Sequence, residues 1–234
     1  MRALKLLLAG CMALAAFTAT QAQTADEIVQ KHIEAIGGAD AWKKVNSTRM
    51  EASLNVQGND VSITITKLNN KGMRQDITVG GMSGYVILTP TSGTTYMPFQ
   101  GMSEAQPMPA DAVKDGQSQL DVQGVLVDYK AKGHSVELLG KETIDGKDCY
   151  KLKVTLAGGK VSTDYIDSQT YYLVRVVSKA NMNGQEMEQT ISFSNFQKLP
   201  EGITVPMTIT QQFGDVTVSK MEINKPVDES IFKP

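Results

Sequence analysis

His32 and His134 are the only histidines in this chain of 234 residues, and a serine or cysteine nucleophile working near neutral pH needs such a base. His32 lies within "EIVQKHIEAIGG", where apolar residues recur at helical spacing, and His134 directly follows Gly133 at a helix-to-strand junction. Both read as ordinary surface or boundary residues. No G-x-S-x-G elbow, H-E-x-x-H pair, phosphate-binding loop or calcium loop occurs, and "GMSGY" around Ser83 lacks the second glycine at the offset an elbow needs. Asp164 and Asp167 form a carboxylate pair, but Asp167 opens the turn "DSQT", where an Asx-type bond to the backbone accounts for it. Met73, Met82, Met97, Met102 and Met108 crowd the middle of the chain without the close spacing or the His and Cys neighbours that a Cu(I) site wants. They suit a mouth that adapts to chains of variable shape, or equally the filling of irregular gaps. The expectation is a non-enzyme with no catalytic residues, no cofactor and no metal.

The opening "MRALKLLLAGCMALAAFTATQAQTADE" sets the compartment. Arg2 and Lys5 precede an apolar run, and small residues follow at Thr20 and Ala22, the layout of a secretory signal at residues 1–22. The expectation is an exported, periplasmic protein, with residues 23–234 forming one domain. "LAGC" at Leu8 to Cys11 resembles a lipoprotein cleavage box, so lipid anchoring through Cys11 is the alternative. After cleavage at residue 22, Cys149 is the only cysteine and a large core must replace disulfides. Losing Arg2 and Lys5 from 23 basic residues against 25 acidic ones deepens a small acidic excess. The charges are interleaved, which argues against a nucleic-acid groove.

The elements that would position a site come in two periods. "TADEIVQKHIEAIGG" pairs Thr24 with Glu27 as a capping box, carries Ile28, Val29, Ile33 and Ile36 on one helical face, and ends at Gly37-Gly38. A short helix around residues 39–44 bears Trp42, the only tryptophan, as a packing anchor. The period then becomes two. Met50, Ala52, Leu54 and Val56 alternate with polar residues, as do Val61, Ile63 and Ile65, then Tyr150, Leu152 and Val154. Ile191 and Phe193, then Ile203, Val205, Met207 and Ile209, continue the pattern. Turn pairs Gly58-Asn59, Asp145-Gly146, Gly158-Gly159, Asn183-Gly184 and Gly214-Asp215 separate these runs and imply a meander of roughly ten strands. Pro206 implies an edge or a bulge. Within residues 102–133, Val122, Val125, Leu126 and Tyr129 share helical spacing and predict a second covering helix. Simple alternation on "YYLVRV" puts Arg175 on one face with Leu173 and Val177, and Val174 with Val176 on the other, so both faces carry apolar groups. Helices that need a protein surface, and an aromatic content of 6%, too low for two interfacial girdles, argue against a membrane-spanning barrel.

This order of elements, with "GKETIDGKDCYKLKV", "YIDSQTYYLVRV" and the closing "NKPVDESIFKP", resembles the LolA/LolB-like periplasmic lipoprotein-carrier superfamily, including outer-membrane lipoprotein-sorting proteins of Bacteroidetes type. The resemblance implies an α+β, mainly β fold: an unclosed, curved antiparallel half-barrel covered by an N-terminal helix and an inserted helical segment. It also implies binding of lipoprotein acyl chains or another lipid in the concavity. The expected lining is Met50, Leu54, Ile63, Ile65, Leu152, Val154, Ile191, Phe193, Met207 and Ile209, with lid residues Ile33, Val125, Leu126 and Tyr129. The same half-barrel also suits a regulatory or structural cell-envelope protein that fills its own concavity and binds an outer-membrane or envelope protein partner.

Overall fold

A computed structural model describes residues 23–182 and 185–233. The expected signal peptide with Cys11, and the Asn183-Gly184 turn, lie outside the described residues. α1 (Ala25–Ala35) starts at the capping box: the Glu27 N–H donates to Thr24 Oγ1 at 3.2 Å, and the Thr24 N–H donates to Glu27 Oε2 at 2.9 Å. It ends in paired bonds from the Gly37 N–H to the Glu34 carbonyl (3.1 Å) and from the Gly38 N–H to the Ile33 carbonyl (2.8 Å), which satisfy orphan carbonyls of the last turn. Gly37 has φ +117°, and a Cβ there would stand 2.5 Å from the Gly202 carbonyl oxygen. Only glycine fits both the turn and the approach. In α2 (Ala39–Lys43) the Trp42 indole N–H donates to the Ile36 carbonyl at 3.0 Å, while its ring packs against a cluster containing Val45, Ala52 and Ile203.

β1 (Ser47–Val56), β2 (Asn59–Leu68), β3 (Gly72–Val79), β4 (Met82–Leu88), β5 (Gly93–Tyr96) and β6 (Gln106–Pro107) form the first half of a meander. β7 (Ser135–Ile144), β8 (Lys147–Thr155), β9 (Val161–Asp167), β10 (Leu173–Met182), β11 (Gln185–Lys198), β12 (Thr204–Gln211) and β13 (Gly214–Ile223) form the second. β13 pairs with β1, so one antiparallel sheet of thirteen strands runs β6-β5-β4-β3-β2-β1-β13-β12-β11-β10-β9-β8-β7 and does not close. The strands exceed the ten expected because β5 and β6 are too short to show alternation, and a register shift between Leu138 and Gly140 breaks it in β7.

The chain crosses from β6 at one edge to β7 at the other through α3 (Ala110–Gly116), a 3-10 turn (Gln117–Leu120) and a run of turns. The helix expected over Val122 to Tyr129 is absent: Gly124 (φ +86°) and Asp128 (φ +51°) adopt left-handed conformations that a helix excludes. The apolar spacing still does its work, since Val122, Leu126 and Tyr129 are buried and Val125 half-buried. Helix lies instead upstream, in α3. Gly116 packs against Leu88 of β4, while the Lys160 ammonium, in the β8–β9 turn, donates to the Asp115 carbonyl at 3.0 Å. In a flat sheet β4 and β9 would stand about 40 Å apart, against about 10 Å for a helix of this length. The sheet therefore curls around the crossing segment.

Two further details bear on faces. A register shift between Leu173 and Arg175 breaks the expected alternation: Leu173 joins Tyr150 and Ile166 inside, whereas Val174 and Val177 pack outside on Ile144, Cys149 and Tyr165. Arg175, outside too, pairs with Asp145 at 2.7 Å, so it does not share a face with Leu173. Pro206 pairs with Phe196 on one side and precedes Thr208, where the ladder to β13 begins, so its missing N–H falls on a locally free edge.

Candidate functional site

The strand registers place one continuous set of side chains on the inner face. Met50 and Leu54 of β1 stand beside Ile65 and Val61 of β2, and Ile63 beside Ile77 of β3. Phe193 of β11 stands beside Ile209 of β12, and Ile191 beside Val176 of β10. Ile77, Val176 and Val86 were not foreseen as lining. For Ile77 the signal was present, since Met73, Gln75, Ile77 and Val79 alternate with Arg74, Asp76 and Thr78.

This inner face has two unlike regions. At one, Ile28 and Val29 of α1, with Leu126 and Tyr129 of the crossing segment, cover Tyr150, Leu152, Val154 and Ile166, and Leu152, Val154 and Ile166 are 0% exposed. Ile33 and Val125 pack at the border of this cluster. Polar ties hold the cover: the Tyr129 hydroxyl donates to Asp26, Lys43 pairs with Asp128 at 2.9 Å, and His32 Nδ1 lies 2.8 Å from the Tyr171 carbonyl. Because a carbonyl only accepts, Nδ1 carries the proton. His32 is thus a buried tie between α1 and the β9–β10 turn, not a boundary residue, and burial holds its pKa below the usual histidine value. His134 accepts the Ala157 N–H on Nδ1 at 3.1 Å.

At the other region Leu54, Ile63, Ile77, Ile191, Phe193 and Ile209 are only half-buried. They lie toward the end of the ladder that carries the β1–β2, β3–β4 and β12–β13 turns, opposite the β11–β12 turn on which the α1–α2 corner sits. Large apolar groups stand exposed nearby: Met82 at the β3–β4 turn, Met187 on β11 and Phe213 at the β12–β13 turn, the last 66% exposed. Met50 and Ile65 lie between the two regions, half-buried, and Met207 is buried.

Among the described residues, two charged groups that are not exposed share this apolar face. Asp164, opposite Leu152 and Val176, is 1% exposed and accepts one side-chain bond, from Ser162 Oγ at 2.6 Å; burial pushes its pKa up to about 6. Lys67 stands on β2 opposite Met73. Two cavities, each of about 320 Å³, lie apart from the half-buried residues Leu54, Ile63, Ile191, Phe193 and Ile209. One, between the crossing segment and the β8–β9 turn, is bordered by Lys114, Asp121, Val125, Lys132 and Leu156. The other lies on the outer face beneath residues 225–231 and is bordered by Arg49, Thr66 and Arg74.

Comparison with solved structures settles the fold. The chain is similar to a DUF1329 family protein of Desulfovibrio piger (TM-score 0.56, 16% identity, 90% of this chain and 98% of that one). It is also similar to a LolA superfamily protein of Nitrosomonas europaea (0.55, 15% identity, 91% and 99%). The fold is LolA-like. A putative outer membrane lipoprotein-sorting protein domain of Vibrio parahaemolyticus shares it (0.52, 15% identity, 88% and 95%). No protein-family model and no curated protein matches the sequence. Among the described residues, no helix of this LolA-like fold is long and apolar enough to cross a membrane.

Proposed function

We propose that this protein is an exported cell-envelope carrier that shields a lipid chain, such as the acyl groups of a lipoprotein, against the uncovered part of its inner face. One observation carries the reading: Leu54, Ile63, Ile77, Ile191, Phe193 and Ile209 form a concave apolar surface that the chain's own lids leave half-exposed. Contiguous exposed apolar surface is costly in water and marks a binding site when it persists. Each methylene buried there contributes about 0.8 kcal/mol, so some ten methylenes outweigh the ordering cost without a specific polar contact. The working lining is then Leu54, Ile63, Ile191, Phe193 and Ile209, with Met50 and Ile65 at its inner margin. Leu152, Val154, Leu126 and Tyr129 serve as the packed floor and cover of the closed region.

The test is titration of the purified, signal-free protein with a fluorescent fatty acid, with Phe193→Glu alongside. Saturable binding that this variant loses while keeping the parent's far-UV spectrum supports the reading. Equal binding by both proteins removes the lining. The second reading, a regulatory or structural envelope protein docking a protein partner, is favoured by the filled region around Leu152. It predicts no lipid in organic extracts of the native protein.

A further inference from the structure

Three lysines among the described residues are not exposed: Lys67, Lys132 and Lys151. Lys132 pairs with Asp121 at 2.6 Å and Lys151 with Glu142 at 2.8 Å. Lys67 differs from both, having no carboxylate within 4.0 Å and no hydrogen-bond partner among the described residues. The register puts it on the inner face of β2, in line with Val61, Ile63 and Ile65 and directly opposite Met73. Burial lowers its pKa, and Asp121 exerts the opposing pull. Asp121 is already engaged, however: one oxygen holds Lys132 and the other accepts the Gln123 N–H at 3.0 Å.

A partly desolvated ammonium with no carboxylate in contact is a standing cost on an apolar wall. It becomes favourable once an anion arrives, because charge-assisted hydrogen bonds in a low-dielectric site are about twice as strong as neutral ones. From Val61 to Lys67 the strand runs about 20 Å, a track of apolar side chains ending in a cation. Resting on the carrier reading above, we propose that Lys67 is the anchor for an anionic lipid head, so that the preferred ligand carries a carboxylate or phosphate and not only acyl chains. A neutral chain of equal length would leave the ammonium unpaired.

The experiment compares matched lipids on the signal-free protein at pH 7: palmitate against hexadecanol, and dipalmitoyl phosphatidic acid against dipalmitoylglycerol. The parent should bind at least one acidic member roughly tenfold to a hundredfold more tightly than its neutral match. Which acid is preferred tells a carboxylate from a phosphate head. Lys67→Met should abolish the preference, so that each acidic lipid binds no more tightly than its neutral match, and Lys67→Arg should restore it. If the parent binds each neutral lipid as tightly as its acidic match, or Lys67→Met retains the preference, the anchor is overturned and the carrier stands. If none of the four lipids binds, the carrier reading fails and takes the anchor with it. The parent's own ranking of lipids decides the case even should Lys67→Met not fold.

Discussion

Leu152 on β8 and Ile63 on β2 are equivalent by pattern, each an inner-face aliphatic in a strand that alternates faithfully, yet one is 0% exposed and the other is half-buried. The difference comes from what lies above them. α1 and the crossing segment set Ile28, Val29, Leu126 and Tyr129 on β8 and β9, whereas the face near the β1–β2 and β3–β4 turns receives no such cover from the described residues. One sheet thus supplies both a core and an open apolar wall, and the lids decide which is which. Stability should therefore concentrate under α1 and ligand effects near the open rim.

Leu152→Ala tests the stable side and should have the largest effect. A fully buried leucine ringed by Ile28, Val154 and Ile166 costs about 2 to 5 kcal/mol on truncation. Urea denaturation gives the number; a loss under about 1 kcal/mol would mean that the two regions are alike. Asp164 comes next. Its pKa is raised, so the unfolded chain ionises first as pH climbs, and the folded state loses stability between about pH 4 and pH 6 and is level above. A shift of about 2 units corresponds to about 3 kcal/mol, an upper bound for relief by Asp164→Asn. The variant's advantage over the parent should be absent near pH 3.5, grow to pH 6 and stay constant at pH 8. An advantage that is unchanged with pH would place the carboxyl in water.

How far this contrast could be read from the sequence depends on the element. The capping box at Thr24 and Glu27, the Gly37-Gly38 stop and the alternation in β1, β2, β8 and β12 are local signals, and each appears in the structure where the residues call for it. The crossing segment was legible only in part. Val122, Leu126 and Tyr129 had to be buried, but the left-handed turns at Gly124 and Asp128 follow from spanning the sheet, a tertiary demand that outweighs helical spacing. The shift at Leu173 to Arg175 is likewise invisible to period two, because one extra residue reverses every later side chain. For the site, strand pattern identified Leu54, Ile63, Phe193 and Ile209 as inward but also Leu152 and Val154, which no pattern distinguishes until the lids are placed. Lys67 was missed: its place in line with Val61, Ile63 and Ile65 was a signal left unread, and its lack of a partner shows only in three dimensions.

Thr24→Ala should cost about 1 kcal/mol through the lost N-cap bond. Its use lies in where the loss appears. If α1 is the cover of the sealed region, amides of β8 and β9 should exchange faster in the variant while those of β2 and β3 keep the parent's rates. A uniform increase would mean that lid and sheet open as one unit.

Phe213→Ser should have the smallest effect on stability, within about 0.5 kcal/mol, because a side chain 66% exposed at a turn has little packing to lose. On the carrier reading these uncovered apolar residues line the rim that the lipid chain crosses, so lipid affinity should fall several-fold even though the melting transition does not move. Calorimetry and the fatty-acid titration measured on the same sample separate the two quantities. Should Phe213→Ser instead melt early and bind lipid as the parent does, the β12–β13 turn belongs to the core and the division of the inner face into a sealed and an open region fails at its rim.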